Sequence, residues 1–279
     1  MKETSNLDRS VPMTTRRALG SLVVLGLCLS ACTGVITLDT SSPPVVTYAP
    51  AGGAPAPNVA AITRIASEGM VDVEVTVGAP PSVRLSCAAE LAPHVHIEGQ
   101  GDLLRIWTDP NLVGLHSGRC VALIGSPRLL SFEVSGSGDA HIHGPAAELS
   151  QAATSGSGDI LIDELPAPTV RLASSGSGDI NAHGLRAQTL EITANGSGDV
   201  HVLGASDRLQ ITCTGSGDID ARGLGAADVE AHSSGSGDVS VQASQRASVD
   251  TSGSGDIVVR GNPAQRSGNH EGSGSVTFE

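Results

Sequence analysis

Apolar and polar positions alternate along the second half of the chain, in short segments that follow a recurring motif. The motif is Ser-Gly-Ser-Gly-Asp or a close variant, and it returns every 18 to 20 residues. The first and third residues after each aspartate are small or branched aliphatics, as at Ile160 and Ile162. This period of two predicts a strand with one buried face. The motif aspartates are Asp139, Asp159, Asp179, Asp199, Asp218, Asp238 and Asp256.

A second set of mostly apolar positions precedes each motif, seven and nine residues before the aspartate, as at Leu172 and Val170. It predicts a second short strand, and a glycine five residues after most of the aspartates predicts a turn. One unit of about 20 residues buries too little surface to fold alone, whereas stacked units share one apolar axis. We therefore predict an all-β solenoid, a parallel β-helix, whose seven regular rungs extend about 34 Å.

The glycines of the motif fit a corner between two strands. Glycine adopts positive φ angles without strain, and it allows stacked backbones to approach closely. We expect both properties to be used in the motif.

The first 31 residues are typical of a secretion signal. Arg16 and Arg17 precede a 14-residue apolar run that is too short to span a bilayer. The run ends in Leu-Ser-Ala-Cys, which resembles the lipobox of bacterial lipoproteins. Cys32 is therefore expected to carry a diacylglyceryl group and an acyl chain on its new amino terminus. An ordinary signal peptide is the alternative reading, and Met13 is an alternative start.

The remaining chain divides into a tether and one domain. Residues 32–59 are rich in Pro and Ala and are predicted to be extended. Residues 60–279 are predicted to form the solenoid, with irregular rungs over 60–128 and regular rungs over 129–279. Two acyl chains anchor a protein stably to a membrane, so we expect an envelope location, at the outer membrane or the extracytoplasmic face of the plasma membrane.

Charge and composition narrow the range of partners. The net charge is −13 and no lysine follows Lys2. Nucleic acid and anionic membrane surfaces both require clustered positive charge, so neither is an expected partner. The chain has only four aromatic residues, too few to line a sugar-binding groove.

Residues 60–279 resemble the head GIN domain family of auto-transporter adhesins. The repeated Gly-Ser-Gly-Asp before a branched aliphatic carries the resemblance, together with the preceding stretch "ITRIASEGMVDVEVTVGAPPSVRLSCAAELAPHVHIEGQGDLLRIWTDPN". The resemblance implies a right-handed β-helical domain at the cell surface or in the periplasm, behind a signal or lipid anchor. It supplies no catalytic residues.

The seven motif aspartates are the first candidate site. Stacked carboxylates about 5 Å apart repel by about 0.8 kcal/mol per pair in water. Calcium between rungs would offset this repulsion, because carboxylate and carbonyl oxygens are its preferred ligands. The alternative, which we favour, is that each aspartate caps the amides of its own glycine-rich corner.

Histidines on the outer face are the second candidate. The position four residues after the aspartate is His143, Asp163 and His183 on successive rungs, and two imidazoles beside a carboxylate could hold zinc. His143 and His183 lie two rungs apart, however, which separates their backbones by about 9.6 Å. A solvated polar face is therefore predicted. The adjacent outward polar residues are His141, His201 and Asn181.

The cysteines suggest structural roles. Cys87 and Cys120 could form a disulfide that closes the irregular rungs, if their backbones lie close enough. Cys213 follows Leu209 and Ile211 at a spacing of two, which predicts a small buried apolar residue.

The sequence contains no nucleophile elbow, His-Glu-x-x-His, Cys-x-x-Cys or phosphate-binding loop. We therefore predict a lipid-anchored, adhesin-like binding or structural module without catalytic activity, whose surface ligand or envelope partner is unspecified. Calcium binding is the first alternative, and a β-helical enzyme acting on polysaccharides is the second. The last repeat, "EGSGSVTFE", stops within a strand. It predicts either end-to-end self-association at an open edge or a plug formed by Phe278.

Overall fold

The structure, a computed structural model, describes residues 45–46, 59–110 and 119–279. The predicted signal peptide, Cys32 and most of the tether lie outside the described residues. All strands belong to one sheet. Helical structure within the described ranges is confined to single 3-10 turns at Val59–Ala61 and Ala92–His94. No helix in these ranges is long and apolar enough to cross a bilayer.

The strands are β1 (Val45–Val46), β2 (Arg64–Glu68), β3 (Asp72–Val77), β4 (Ser82–Cys87), β5 (Val95–Gln100), β6 (Leu103–Thr108), β7 (Cys120–Ser126), β8 (Ser131–Val134), β9 (Ala140–Pro145), β10 (Gln151–Thr154), β11 (Ile160–Glu164), β12 (Thr169–Ser174), β13 (Ile180–Ala194), β14 (Val200–Cys213), β15 (Ile219–Ser233), β16 (Val239–Thr251), β17 (Ile257–Arg260), β18 (Gln265–His270) and β19 (Val276–Phe278).

The regular rungs begin at β8 and stack in parallel. From β8 to β12 the strand after one motif and the strand before the next are separate, whereas each of β13 to β16 runs from one motif to the next as a single strand of 13 to 15 residues. Equivalent positions of successive rungs lie side by side, as Ile192 does with Ile211. The predicted parallel β-helix is confirmed, with about seven turns.

The inward columns are those that the period of two predicts, with one exception. Residues one and three positions after each motif aspartate are at most 3% exposed, and those seven before are at most 1% exposed. The prediction that the residue nine positions before the aspartate points inward is wrong in the first two rungs. There Leu129 and Leu149 are buried, while Leu130 is half-buried and Ser150 is exposed. Strands β8 and β10 begin one residue after Leu130 and Ser150, so the alternation of these strands does not include the two positions.

Buried hydroxyl groups close the corners from inside. Thr154 and Ser174 lie five residues before the motif aspartate, and their hydroxyls donate to the carbonyls of Gly158 and Gly178 at 2.9 and 3.1 Å. These bonds satisfy polar groups that the core would otherwise leave unpaired. Cys213 occupies the same column, fully buried as predicted, and burial raises the pKa of its thiol.

The motif glycines are required for close approach rather than for positive φ. None of those in the seven regular motifs has a φ in the left-handed region, so that expectation is wrong. A Cβ on Gly156 would instead overlap the carbonyl oxygen of Gly136 one rung below, and the same holds along the stack. Positive φ occurs at the turn five residues after the aspartate, as at Gly144 (81°) and Gly184 (58°).

The irregular rungs have an order that differs from the chain order. Strands β6 and β7 form the lowest rung, β2 and β3 lie on it, and β8 and β9 lie on β2 and β3. Strand β5 pairs antiparallel with β6, and β4 pairs antiparallel with β7. Antiparallel strands therefore cover the bottom of the solenoid. Across the β4–β7 pair, Cys87 and Cys120 are joined in a disulfide with Cα atoms 4.0 Å apart.

The last rung consists of β18 and β19. Among the described strands, β18 pairs only with β16 and β19 only with β17, so both present a second edge without a strand partner. Phe278 is half-buried and packs against the apolar core. The guanidinium carbon of Arg266 lies 5.8 Å from the centre of the Phe278 ring.

Candidate functional site

The motif aspartates form a continuous ladder along one outer edge of the solenoid. The backbone N–H of each aspartate donates to Oδ1 of the aspartate one rung below, at 2.7 to 3.0 Å. The ladder extends beyond the seven predicted residues. Asp72 accepts from the amide of Asp139 at 3.0 Å, and Asp256 accepts from that of Ser275 at 2.8 Å.

This arrangement corrects the predicted capping of each corner by its own aspartate, because the carboxylate binds the next rung instead. At this point in the corner the carboxylate oxygen takes the place of a backbone carbonyl as acceptor for the amide. The Ser275 hydroxyl and amide both donate to Asp256 and lower the pKa of its carboxyl.

Calcium binding along the ladder stays the less favoured alternative. One oxygen of each ladder carboxylate already accepts an amide hydrogen bond. No three carboxylates of the ladder bring ligand atoms within 4.8 Å of one another in the part of the chain that the structure describes. A calcium ion there would need backbone carbonyls to complete its six to eight oxygen ligands.

Three other side chains do converge on the outer face, at strands β9 and β11. His141 Nε2 lies 2.7 Å from Asp163 Oδ1, and His143 Nδ1 lies 3.1 Å from Asp163 Oδ2. The two imidazole rings have centroids 3.6 Å apart. All three side chains are 33 to 41% exposed. Hydrogen bonding from His141 lowers the pKa of the Asp163 carboxyl, although partial burial opposes this shift.

The cluster differs from the His143–Asp163–His183 set that the sequence indicated. His183 instead lies beside His201, with ring centroids 6.5 Å apart. Leu161 pairs with His141 and Ile162 with Ile142, so Asp163 is level with His143 and diagonal to His141 on the same outer face. Both histidines of β9 therefore reach its carboxylate, and the register shifts only beyond this point, where Glu164 pairs with Pro145.

A second group of the same residue types was missed in the sequence. His94 Nδ1 and His96 Nε2 lie 2.9 and 2.7 Å from the two oxygens of Asp109. Their hydrogen bonds lower the pKa of the Asp109 carboxyl. His94 ends the 3-10 turn Ala92–His94 and His96 lies on β5, so the spacing of two between them does not mark one strand face, and no periodic pattern in the sequence identified the group.

Further along the same outer face, Asp220 is paired with Arg222. The guanidinium nitrogens Nε and Nη2 donate to the two carboxylate oxygens, at 2.9 and 2.5 Å. This bidentate contact lowers the pKa of Asp220 to about 2. The ion pair lies next to the ladder, beside Asp218.

A comparison with known protein families identifies the family to which this repeat and this solenoid belong. Residues 61–263 match the family described as "Putative auto-transporter adhesin, head GIN domain". The chain belongs to this family. The head GIN assignment therefore covers the irregular rungs as well as most of the regular ones, as the sequence predicted. No curated protein matches the chain.

Solved structures of similar proteins share the fold. The chain is 25% identical to a "Putative lipid binding protein" from Parabacteroides distasonis, with a TM-score of 0.66, covering 78% of this chain and 92% of that one. A "putative adhesin" from the same species is 21% identical, with a TM-score of 0.68 and coverage of 84% and 95%. One from Parabacteroides merdae is 18% identical, with a TM-score of 0.59 and coverage of 78% and 92%. The latter two support the fold alone.

Proposed function

We propose that this head GIN protein is a lipid-anchored envelope protein that displays a rigid, adhesin-like solenoid to a partner outside the cell membrane. The observation that carries the proposal is the continuous ladder of carboxylates, most of them exposed, on a domain of the adhesin-like family. Its stack of parallel rungs holds these carboxylates at fixed spacing along one edge. A fixed array of like charges on a scaffold is suited to binding and needs no chemistry of its own.

The charge of this edge favours a basic partner surface. With a net charge of −13 for the whole chain, the solenoid attracts cationic protein surfaces and repels nucleic acid and anionic lipid headgroups. The similar protein described as lipid binding does not lead us to propose the same activity here. The inward side chains of the described rungs pack into one continuous apolar cluster, and filled rungs favour binding on the outer faces.

The anchor is tested by a Cys32→Ala variant. Wild-type chain should partition with the membrane fraction, and the variant should appear in the soluble fraction, because an unmodified cysteine carries no acyl chains. A Ser30→Ala variant keeps the cysteine and serves as the matched control. Retention of Cys32→Ala in the membrane fraction would contradict lipid anchoring at this residue.

Adhesion is separated from a purely structural role by the same pair of strains. Cells carrying the wild-type chain and cells carrying Cys32→Ala are compared for retention on surfaces coated with a basic protein or with a neutral one. An adhesin-like role predicts that retention on the basic surface is lost in the variant. Equal retention would leave an envelope-structural role as the function.

A further inference from the structure

We propose that His141, His143 and Asp163 form a zinc site on the outer face of the solenoid. It goes beyond the proposed adhesin-like function and does not depend on it. Within the described residues, these three are the only group of three His, Cys, Asp or Glu side chains whose ligand atoms all lie within 4.8 Å of one another. The carboxylate of Asp163 faces both imidazoles, at 2.7 and 3.1 Å.

The donor set matches the preferences of zinc. Imidazole nitrogen and carboxylate oxygen are both zinc ligands, and three protein ligands plus water give the tetrahedral geometry of an open site. Donor atoms of such a site lie about 3.3 Å apart, given zinc–nitrogen bonds of about 2.0 Å. Two of the contacts, at 2.7 and 3.1 Å, are already slightly shorter than this separation, and no pair of ligand atoms is more than 4.8 Å apart. Each distance therefore needs to change by at most about 1.5 Å, which rotation about the side-chain bonds allows.

The backbone fixes the three ligands in advance. His141 and His143 are two residues apart on β9, so both side chains leave the same face of the strand. Strand β9 is held between β3 and β11, with hydrogen-bonded partners on both sides. A bound ion would therefore not need to order this segment, which reduces the entropic cost of binding.

The surroundings leave room and negative charge for a dication. The side chains are only partly buried, so one coordination position faces solvent and can hold water. On the rung below, Glu74 is the residue opposite His141 and is exposed. Val73 and Val75 beside it are buried, so Glu74 lies on the same outer face as the imidazoles and adds a second carboxylate there.

The second histidine pair provides an internal control. His94, His96 and Asp109 have the same residue types and the same contacts to one carboxylate, but they do not form a group with all ligand atoms within 4.8 Å. The proposal assigns zinc to the first cluster and not to the second.

The test is zinc titration of the full chain in detergent by calorimetry, after removal of metal with a chelator and alkylation of accessible thiols. We expect the wild-type chain to bind one zinc ion. His143→Gln and Asp163→Asn should each weaken the affinity by more than about tenfold, since even outer partners of zinc ligands have effects of that size. The control His96→Gln should bind like the wild type.

Two results would overturn the proposal: no zinc bound by the wild-type chain, or unchanged affinity in both cluster variants. If a variant unfolds, the wild-type chain still gives the answer by NMR. Zinc should shift the imidazole resonances of His141 and His143 and leave those of His94 and His96 in place. Shifts confined to His94 and His96, or absent from all four, would show that the first cluster is an ion-paired surface group only.

Discussion

The backbone N–H of Asp199 donates a hydrogen bond of 2.7 Å to Oδ1 of Asp179, one rung below. Replacing Asp179 with Ala removes this acceptor and leaves the amide to water. Because hydrogen bonds to charged groups contribute about 1.5 to 3 kcal/mol, we expect a loss of that order in the free energy of unfolding, reduced by exposure to solvent. Asp179→Asn keeps an acceptor oxygen and should cost less. Urea unfolding measures both, and equal losses would contradict a stabilising role for this hydrogen bond between rungs.

The same ladder allows calcium to be tested directly. We expect the melting temperature to be the same with calcium and with a chelator, because amide hydrogen bonds already occupy one oxygen of each carboxylate. A site filled at a hundred times its dissociation constant would instead add about 2.7 kcal/mol of stability. A clear rise in melting temperature with calcium, but not with magnesium as the control, would show that calcium binds along the ladder.

A methyl group at a motif glycine should disrupt the stack. In Gly196→Ala the new Cβ would overlap the carbonyl oxygen of Gly176, and relieving the overlap requires two rungs to separate. We expect a loss of about 2 to 3 kcal/mol or more. Gly225 is the matched control, because its Cβ would have no atom closer than 4.0 Å and its φ lies outside the left-handed region. Gly225→Ala should be neutral or stabilise by up to about 1 kcal/mol.

Reduction of the Cys87–Cys120 disulfide should lower stability. The bond closes a loop with a sequence separation of 33 residues, for which chain entropy gives about 3 to 4 kcal/mol. Urea unfolding with and without reductant measures this effect. The Cys87→Ala/Cys120→Ala double variant should resemble the reduced protein and show no response to reductant. A response in the double variant would point to another thiol.

The Asp220–Arg222 pair predicts a contribution to acid stability. The folded-state pKa of Asp220, about 2, is below its usual 3.8. The pair therefore stabilises the fold above about pH 4, and this contribution is lost as the pH falls towards 2. In Arg222→Gln the pKa should rise, and the variant should be less stable than the wild type at neutral pH but not near pH 2. An NMR titration of the Asp220 carboxyl that is identical in both proteins would contradict this.

The open edges of β18 and β19 predict association between chains. Unpaired strand edges are templates for further pairing, whereas Phe278 partly covers the core at this end. Glu279 donates its N–H to the carbonyl of Val259 in β17, so by alternation the N–H of Val276 faces the open edge. We expect sedimentation at increasing concentration to show dimers, and Val276→Pro to reduce them, because proline lacks this N–H. A monomer at every concentration would favour the plug.

Much of the solenoid is predictable because the repeat encodes its own register. Ile160 and Ile180 occupy equivalent sequence positions, and they lie side by side in the structure. The failures occur where one residue more or less changes the local path. In the outer cluster Asp163 contacts His141 and His143 on the rung below and not His183 on the rung above, and the late start of β8 moved Leu129 inward in place of Leu130. Such shifts depend on neighbouring rungs, which a single repeat does not describe.

The irregular rungs were harder to predict for a different reason. Strand β2 lies between β6 and β8, so spatial order departs from chain order and no repeat reveals it. The Cys87–Cys120 proximity follows from the antiparallel β4–β7 pair, which has no counterpart in the regular rungs.

This interleaved order also sets a sequence of events during folding. Strand β8 needs the upper edge of β2 as its template, and β2 and β3 receive their lower support only when β6 and β7 have emerged. We expect the strands from β2 to β7 to fold as a nucleus, after which each new rung adds to a finished edge. Growth of the solenoid then requires only contacts between adjacent repeats, which keeps loop closure short for most of the chain.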